Sequence, residues 1–223
     1  MSTLLMMSLS AHNYFEIGAL TASVLVYARL RGTAFRLFPF FLFFIVVVEL
    51  TGRYMRIVLK EHNGWVYNIG TTAEFIFYAY IFGKALQNKI YKRLASQFML
   101  FYPLAVLLNL TFIQGFLNFH SYTMVLGSFF MIIFCCLFFY EVFLNPLKLE
   151  LHREPMFWIS TGILFFYLGD FSYNLWYPIL TRYGLDAGRN LFLSINNNLN
   201  LVLYTCFIIA FLCQRSPRRS LSP

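Results

Sequence analysis

LFPFFLFFIVVVELTGRYMRIVL, residues 37–59, is the stretch whose reading decides the fold. No charge interrupts it from Leu37 to Val48, and then Glu49 and Arg53 appear four residues apart. As a helix it rises about 35 Å at 1.5 Å per residue, enough to cross the roughly 30 Å hydrocarbon core of a bilayer. A soluble domain would have to bury all of it, whereas a span can turn its apolar side chains to lipid. Glu49 and Arg53 share one helical face. A charge in mid-membrane costs about 2.5–3.5 kcal/mol on insertion scales. The stretch therefore predicts both a membrane span and a protein interior for that face.

The rest of the chain repeats the pattern. Apolar segments fall at about residues 14–30, 37–59, 65–86, 97–114, 122–144, 156–177 and 190–213, divided by charged or turn-rich stretches such as KEHNG at 60–64. The chain is 60% hydrophobic and 12% charged, about half the charge of an ordinary soluble domain. Its 28 Phe and 15 Tyr would overfill a soluble core of 223 residues. The expected fold class is all-α, a polytopic membrane protein formed as a seven-transmembrane helix bundle. Residues 1–213 form a single transmembrane domain, and residues 214–223 a short basic tail. Residues 1–10 contain no Lys or Arg and make a poor signal peptide; they read as an outer lead into the first span.

Basic residues set the orientation. Arg29, Arg31, Arg36, Lys84, Lys89, Lys92, Arg93, Lys148, Arg153, Arg215, Arg218 and Arg219 flank one side, twelve of the 17 Lys and Arg. Arg53, Arg56, Lys60, Arg182 and Arg189 belong to the other. The positive-inside rule then puts the N-terminus outside and the C-terminus in the cytoplasm, in the cell inner (plasma) membrane. The net charge of +8 is thus a product of topology and implies no nucleic acid partner. Trp65, Trp158, Trp176 and Tyr177 sit at segment ends, as interfacial aromatics do.

Polar residues inside the segments mark the candidate site. Read by depth, Glu16, Glu49, Arg53, Asn68, Glu74, Asp170, Asn174 and the run Asn196, Asn197, Asn198 and Asn200 gather in one half of the bundle, toward the outer face. Several pairs share a helical face: Glu49 with Arg53, Asp170 with Asn174, His12 with Glu16, and Asn200 with Tyr204. Tyr67, Thr71, Glu74 and Tyr78 form one stripe. Glu49, Arg53, Asn68, Glu74, Asp170, Asn174, Asn197 and Asn200 are the expected ligand-binding residues, with the first segment as a further contributor. The acids outnumber the bases there, so a carboxyl is left to hold a proton or a cationic group. The competing reading is a closed ion-pair network that only fixes helix packing, with the Asn run as interhelical glue. Glu141, near the inner end of the fifth segment, reads as structural, within reach of Lys148 or Arg153. A faint repeat relates Glu49 and Arg53 to Asp170 and Asn174, and Glu74 and Tyr78 to Asn200 and Tyr204, as in transporters built from parallel three-helix units.

Several chemistries lack their residues. No Lys lies in mid-segment for a retinal Schiff base. His12, His62, His120 and His152 all fall at or beyond segment ends, which leaves no intramembrane metal site and no Ser–His dyad. Cys135, Cys136, Cys206 and Cys213 lie in apolar runs without a CxxC spacing, so buried thiols are expected. No cofactor motif is present. The seven-segment pattern with an outer polar cluster is similar to bacterial seven-transmembrane sensor-like membrane proteins. That resemblance implies a small-molecule ligand and a separate cytoplasmic signalling partner. The expected function is a sensor or receptor-like membrane protein. A small-solute or proton-coupled transporter is the alternative, followed by an intramembrane enzyme or a scaffold subunit of a membrane complex.

Overall fold

The computed structural model describes residues 11–30, 32–144, 151–185 and 190–213. Expectations that fall on residues 1–10, Arg31, 145–150 with Lys148, Arg189 and the tail 214–223 lie outside the described residues.

Among the described residues there are seven long helices and no strand. We label them α1 Ala11–Leu25, α2 Phe38–Tyr54, α3 Gly64–Ala85, α4 Lys89–Asn109, α5 Ser121–Leu144, α6 Pro155–Arg182 and α7 Asn190–Cys213. Four are long and apolar enough to cross a membrane: α2 with its flanking turns (Ala34–Leu59), α4 with its last turn (Lys89–Gln114), α5 and α7. α3 and α6, which carry Glu74 and Asp170 in mid-helix, are not among these four. α2 and α4 both end in a π turn, Met55–Leu59 and Leu110–Gln114. Each π turn is followed by a residue with positive φ, Lys60 at 58° and Gly115 at 80°.

The helices pack as a ring, α1–α2–α3–α5–α6–α7 and back to α1, with α4 outside it against α3 and α5. α3 is the hub. Its Phe75, Tyr78 and Phe82 are fully buried. Phe75 meets Tyr102 of α4 and Tyr167 of α6 at ring distances of 5.2 and 5.1 Å. Tyr78 meets Phe41 of α2 at 5.5 Å and Phe207 of α7 at 6.2 Å. Aromatic pairs like these, three of the four edge-to-face, contribute about 0.5–1.5 kcal/mol each beyond their buried area, so the aromatic surplus of the sequence is spent on the interior seam. Outward, Phe43, Leu100, Phe101 and Phe143 are exposed, the apolar perimeter that a bilayer requires.

The structure moves several expected boundaries. α4 starts at Lys89 instead of near residue 97. The reason is a cap: Asn88 Oδ1 accepts from Ile90 N at 2.8 Å. Glu141 of α5 closes the same turn, its two carboxylate oxygens accepting from Gln87 N at 2.7 Å and Asn88 N at 2.8 Å. Its structural role is therefore a clasp on the α3–α4 turn. α6 continues past Pro178 to Arg182, as membrane helices can where neighbours re-satisfy the backbone. The thiols are not all buried either: Cys135 and Cys206 are, Cys213 is half-buried, and Cys136 is exposed.

Candidate functional site

The polar side chains converge in the half of the bundle where α2, α4 and α6 end, and each is held by a local feature of its helix. On α1, Asn13 and Glu16 lie one turn apart, and both are buried. Arg53 of α2 reaches across and donates from Nη2 to Asn13 Oδ1 at 2.6 Å. Asn13 Nδ2 in turn approaches Glu16 Oε2 at 3.4 Å. Asn13 thus bridges the guanidinium to the carboxylate and ties α1 to α2. Glu16 Oε1 is buried and has no hydrogen-bond partner.

Glu49 faces α3, where Tyr67 Oη donates to Glu49 Oε2 at 3.4 Å. Gly52, one turn beyond Glu49, makes this approach possible: a Cβ there would stand 2.8 Å from the Tyr67 ring. On α6, Asp170 Oδ2 lies 2.9 Å from Ser128 Oγ of α5, and Asp170 Oδ1 accepts from Asn174 Nδ2 at 3.0 Å. Asp170 is buried and doubly partnered.

Glu74 occupies the middle. It sits beside fully buried Phe75 and one turn before Tyr78, yet keeps some accessible surface of its own. Its carboxyl faces the hydroxyls of Tyr78 and Tyr167, and lies close enough to Asp170 and Glu49 for their charges to act on it. Tyr167 Oη is buried and falls short of a completed hydrogen bond. Tyr204 of α7 stands within electrostatic reach of Glu16, Glu74 and Glu49 together. Four carboxylates from four helices therefore share one interior with one guanidinium, walled by the rings of Tyr78, Tyr167 and Tyr204. Accessibility grades along it. Asn197 is exposed and Arg53, Asn174 and Asn200 are half-buried, while Glu16, Tyr78, Tyr167 and Asp170 close the floor. In comparisons with family models, with curated proteins and with solved structures, nothing matches this chain.

Of the sequence-predicted residues, Glu49, Arg53, Glu74, Asp170 and Asn174 come together as expected. Asn197 joins them at the rim, near enough to His12 of α1 for the two side chains to act on one another. Asn200 donates instead to the carbonyl of Asn196 on its own helix at 2.9 Å. Asn68 is seated elsewhere. Its Nδ2 donates to Asn118 O at 2.8 Å and its Oδ1 accepts from His120 N at 3.0 Å, so it pins the α4–α5 connection. One residue separates it from the Tyr67 stripe, and that 100° turn carries it to another face. Asn13, Ser128 and Tyr167 enter the cluster without having been singled out by sequence. The three-residue step from Asn13 to Glu16 is the one readable signal among them.

Asn68 belongs to a second polar assembly. Thr123 Oγ1 lies 2.8 Å from His120 Nδ1. Asn109 Nδ2 donates to Gln114 Oε1 at 2.7 Å, and Gln114 Nε2 donates to Ser121 Oγ at 2.8 Å. Tyr102 Oη donates to Thr123 O at 3.1 Å. His120 is fully buried, and that burial pushes its imidazole below its ordinary pKa. No carboxylate, Lys or Arg takes part in these bonds, which fasten the ends of α3, α4 and α5.

At the opposite end of the bundle lies a cavity of about 240 Å³. Ala34, Phe35, Ile81, Lys84, Phe138 and Glu154 are among its walls, from the turn before α2, from α3 and α5, and from the start of α6.

Proposed function

We propose that this protein is a receptor-like sensor of seven membrane spans, with its N-terminus outside and its C-terminus in the cytoplasm. A small ligand enters the Glu74 cluster from the outer side, and a separate cytoplasmic protein reads the resulting helix shift. The carrying observation is the gradient within the cluster. Half-buried Arg53 and Asn174 lead to a floor of buried acids and tyrosines in which Glu16 Oε1 has no partner. An unmet buried group costs about 1–3 kcal/mol, and more when charged; Asn109 Oδ1 and His120 Nε2 carry that cost in the neutral network too, so what marks the Glu74 cluster is that its unmet acceptor belongs to a carboxylate. Twelve of 17 basic residues on the other side support the orientation. The cavity beside Lys84 and Glu154 supports a docking place for the cytoplasmic partner.

Transport is the second reading, favoured by one feature. The ring closes from two helix triplets, α1–α3 and α5–α7, with α4 outside, a layout compatible with parallel repeats. Solute flux into proteoliposomes separates a carrier from a sensor.

Access is tested by labelling. In a background with the four native cysteines replaced, Asn174→Cys and Asn197→Cys should react with a membrane-impermeant maleimide added outside sealed vesicles, and Glu154→Cys should not. If Glu154→Cys reacts from outside and the other two do not, the orientation is inverted. If none of the three reacts from either side, the cluster is closed and the sensor reading fails.

A further inference from the structure

The cluster also specifies the chemistry of what it binds, and this step rests on reading it as a ligand site. Glu16 Oε1 is a buried acceptor without a donor, and its sister oxygen has only the 3.4 Å contact from Asn13. Tyr167 Oη, also buried, faces the carboxyl of Glu74 as a donor, short of a completed hydrogen bond. Tyr204 stands among Glu16, Glu74 and Glu49. The unmet acceptor is thus a carboxylate oxygen among other acids, enclosed by phenol rings. What it lacks is a donor, and the surplus of acids over bases favours one that carries positive charge.

Each other ligand class meets an obstacle. An anion would add charge to four carboxylates that face one guanidinium, and Arg53 already bonds to Asn13. A neutral polyol could donate to Glu16 but would balance none of the surplus acids, each of which must then keep a proton of its own. A bare metal ion needs several ligands drawn onto one point. Among the described residues no three His, Cys, Asp or Glu side chains converge in that way. An organic ammonium suits acids held apart on separate helices, because its charge is spread over a larger body and aromatic faces attract it.

We infer that the ligand is a small protonated amine, its ammonium seated among Glu16, Glu74 and Tyr204 with one N–H donated to Glu16 Oε1. The N–H matters as much as the charge. A quaternary ammonium carries the same charge and cannot satisfy that oxygen.

The test is thermal unfolding of the full chain in lipid nanodiscs at fixed pH and ionic strength. The probes are butylamine and phenethylamine, their alcohol counterparts butanol and phenylethanol, the anion butyrate, and tetramethylammonium. A bound primary amine near saturation should raise the melting temperature by about 5 °C, with a saturable dose dependence. The alcohols, butyrate and tetramethylammonium should not. Glu16→Gln and Glu74→Gln, which keep side-chain shape, should each abolish the amine response. An equal rise with the alcohol or with tetramethylammonium overturns the inference, and so does the absence of a saturable rise with either amine. A saturable rise with butyrate or an alcohol alone, lost in Glu74→Gln, overturns the amine assignment while sustaining the ligand site. Should Glu16→Gln fail to fold, the contrast between amine and alcohol on the unaltered protein decides.

Discussion

The cluster around Glu74 and the network around His120 are both buried and polar, and both lie in the same half of the bundle, but they are assembled in opposite ways. Around His120 the groups are amides, hydroxyls and one imidazole, joined by short bonds such as Asn109–Gln114 at 2.7 Å and Asn68–Asn118 at 2.8 Å. Around Glu74 the groups are carboxylates and phenols, spaced for charge to act between them, with contacts that run from 2.6 Å at Arg53–Asn13 to 3.4 Å, while the His120 network has a 3.4 Å contact of its own at Asn109–Thr123. The first arrangement gains from its bonds, each of which offsets the desolvation of its partners, although His120 Nε2 and Asn109 Oδ1 are buried without one. The second holds buried charge that its own residues do not balance, which a folded membrane protein tolerates chiefly where function requires it. On the proposed reading, stability belongs to the neutral network and responsiveness to the charged one.

The largest expected break in that contrast is Asn68→Leu. It removes two bonds and strands His120 N and Asn118 O, costing about 3 kcal/mol. Thermal unfolding in nanodiscs should show a drop of about 8 °C with the amine response of the survivors intact. If the response disappears instead, the two regions are one functional unit.

Acidification should act on the neutral network through His120. Its folded pKa lies below the model-peptide value of 6.5, so the unfolded chain binds the proton more readily. The stability conferred by the neutral imidazole is present above about pH 6.5 and is lost as pH falls below it toward the folded pKa. The melting temperature should decline from about pH 7 to about pH 5, and His120→Gln should flatten that decline. An unchanged slope in His120→Gln would assign the acid sensitivity to another group.

Within the charged cluster smaller effects are expected. Ser128→Ala removes the hydroxyl at 2.9 Å from Asp170 and should cost about 1–2 kcal/mol. Tyr67→Phe removes only a 3.4 Å contact and should cost about 0.5 kcal/mol or less. A Tyr67→Phe loss as large as that of Asn68→Leu would show that the charged cluster, too, is a structural fastening.

How legible this was in the sequence depends on the length scale of each signal. Helix existence comes from runs of about 20 apolar residues, and all seven segments are helices. Their ends depend on single capping groups: the Asn88 side chain and the Glu141 clasp extend α4 two turns beyond its apolar part. Glu49, Arg53, Glu74, Asp170 and Asn174 could be grouped because charge in an apolar run must face inward. Asn68 was misplaced because depth along a helix says nothing of azimuth, and one residue turns a side chain by about 100°. Ser128 and Tyr167 are ordinary residues on apolar helices. Only the α3–α5–α6 contacts show that they face Asp170 and Glu74.

The α6–α7 seam carries a mechanical consequence. A Cβ on Gly162 would stand 2.9 Å from Cys206 Cβ, and one on Gly169 would stand 2.5 Å from the Leu199 side chain. Two helices keyed together two turns apart cannot slide past one another without lifting out of register, so they pivot as a single lever. Asp170 and Asn197 ride on that lever at one end, and Met156 and Glu154, beside the opposite cavity, ride at the other. On the proposed reading, a push of an ångström at the acids would reach the far mouth by rigid rotation, without any unwinding between.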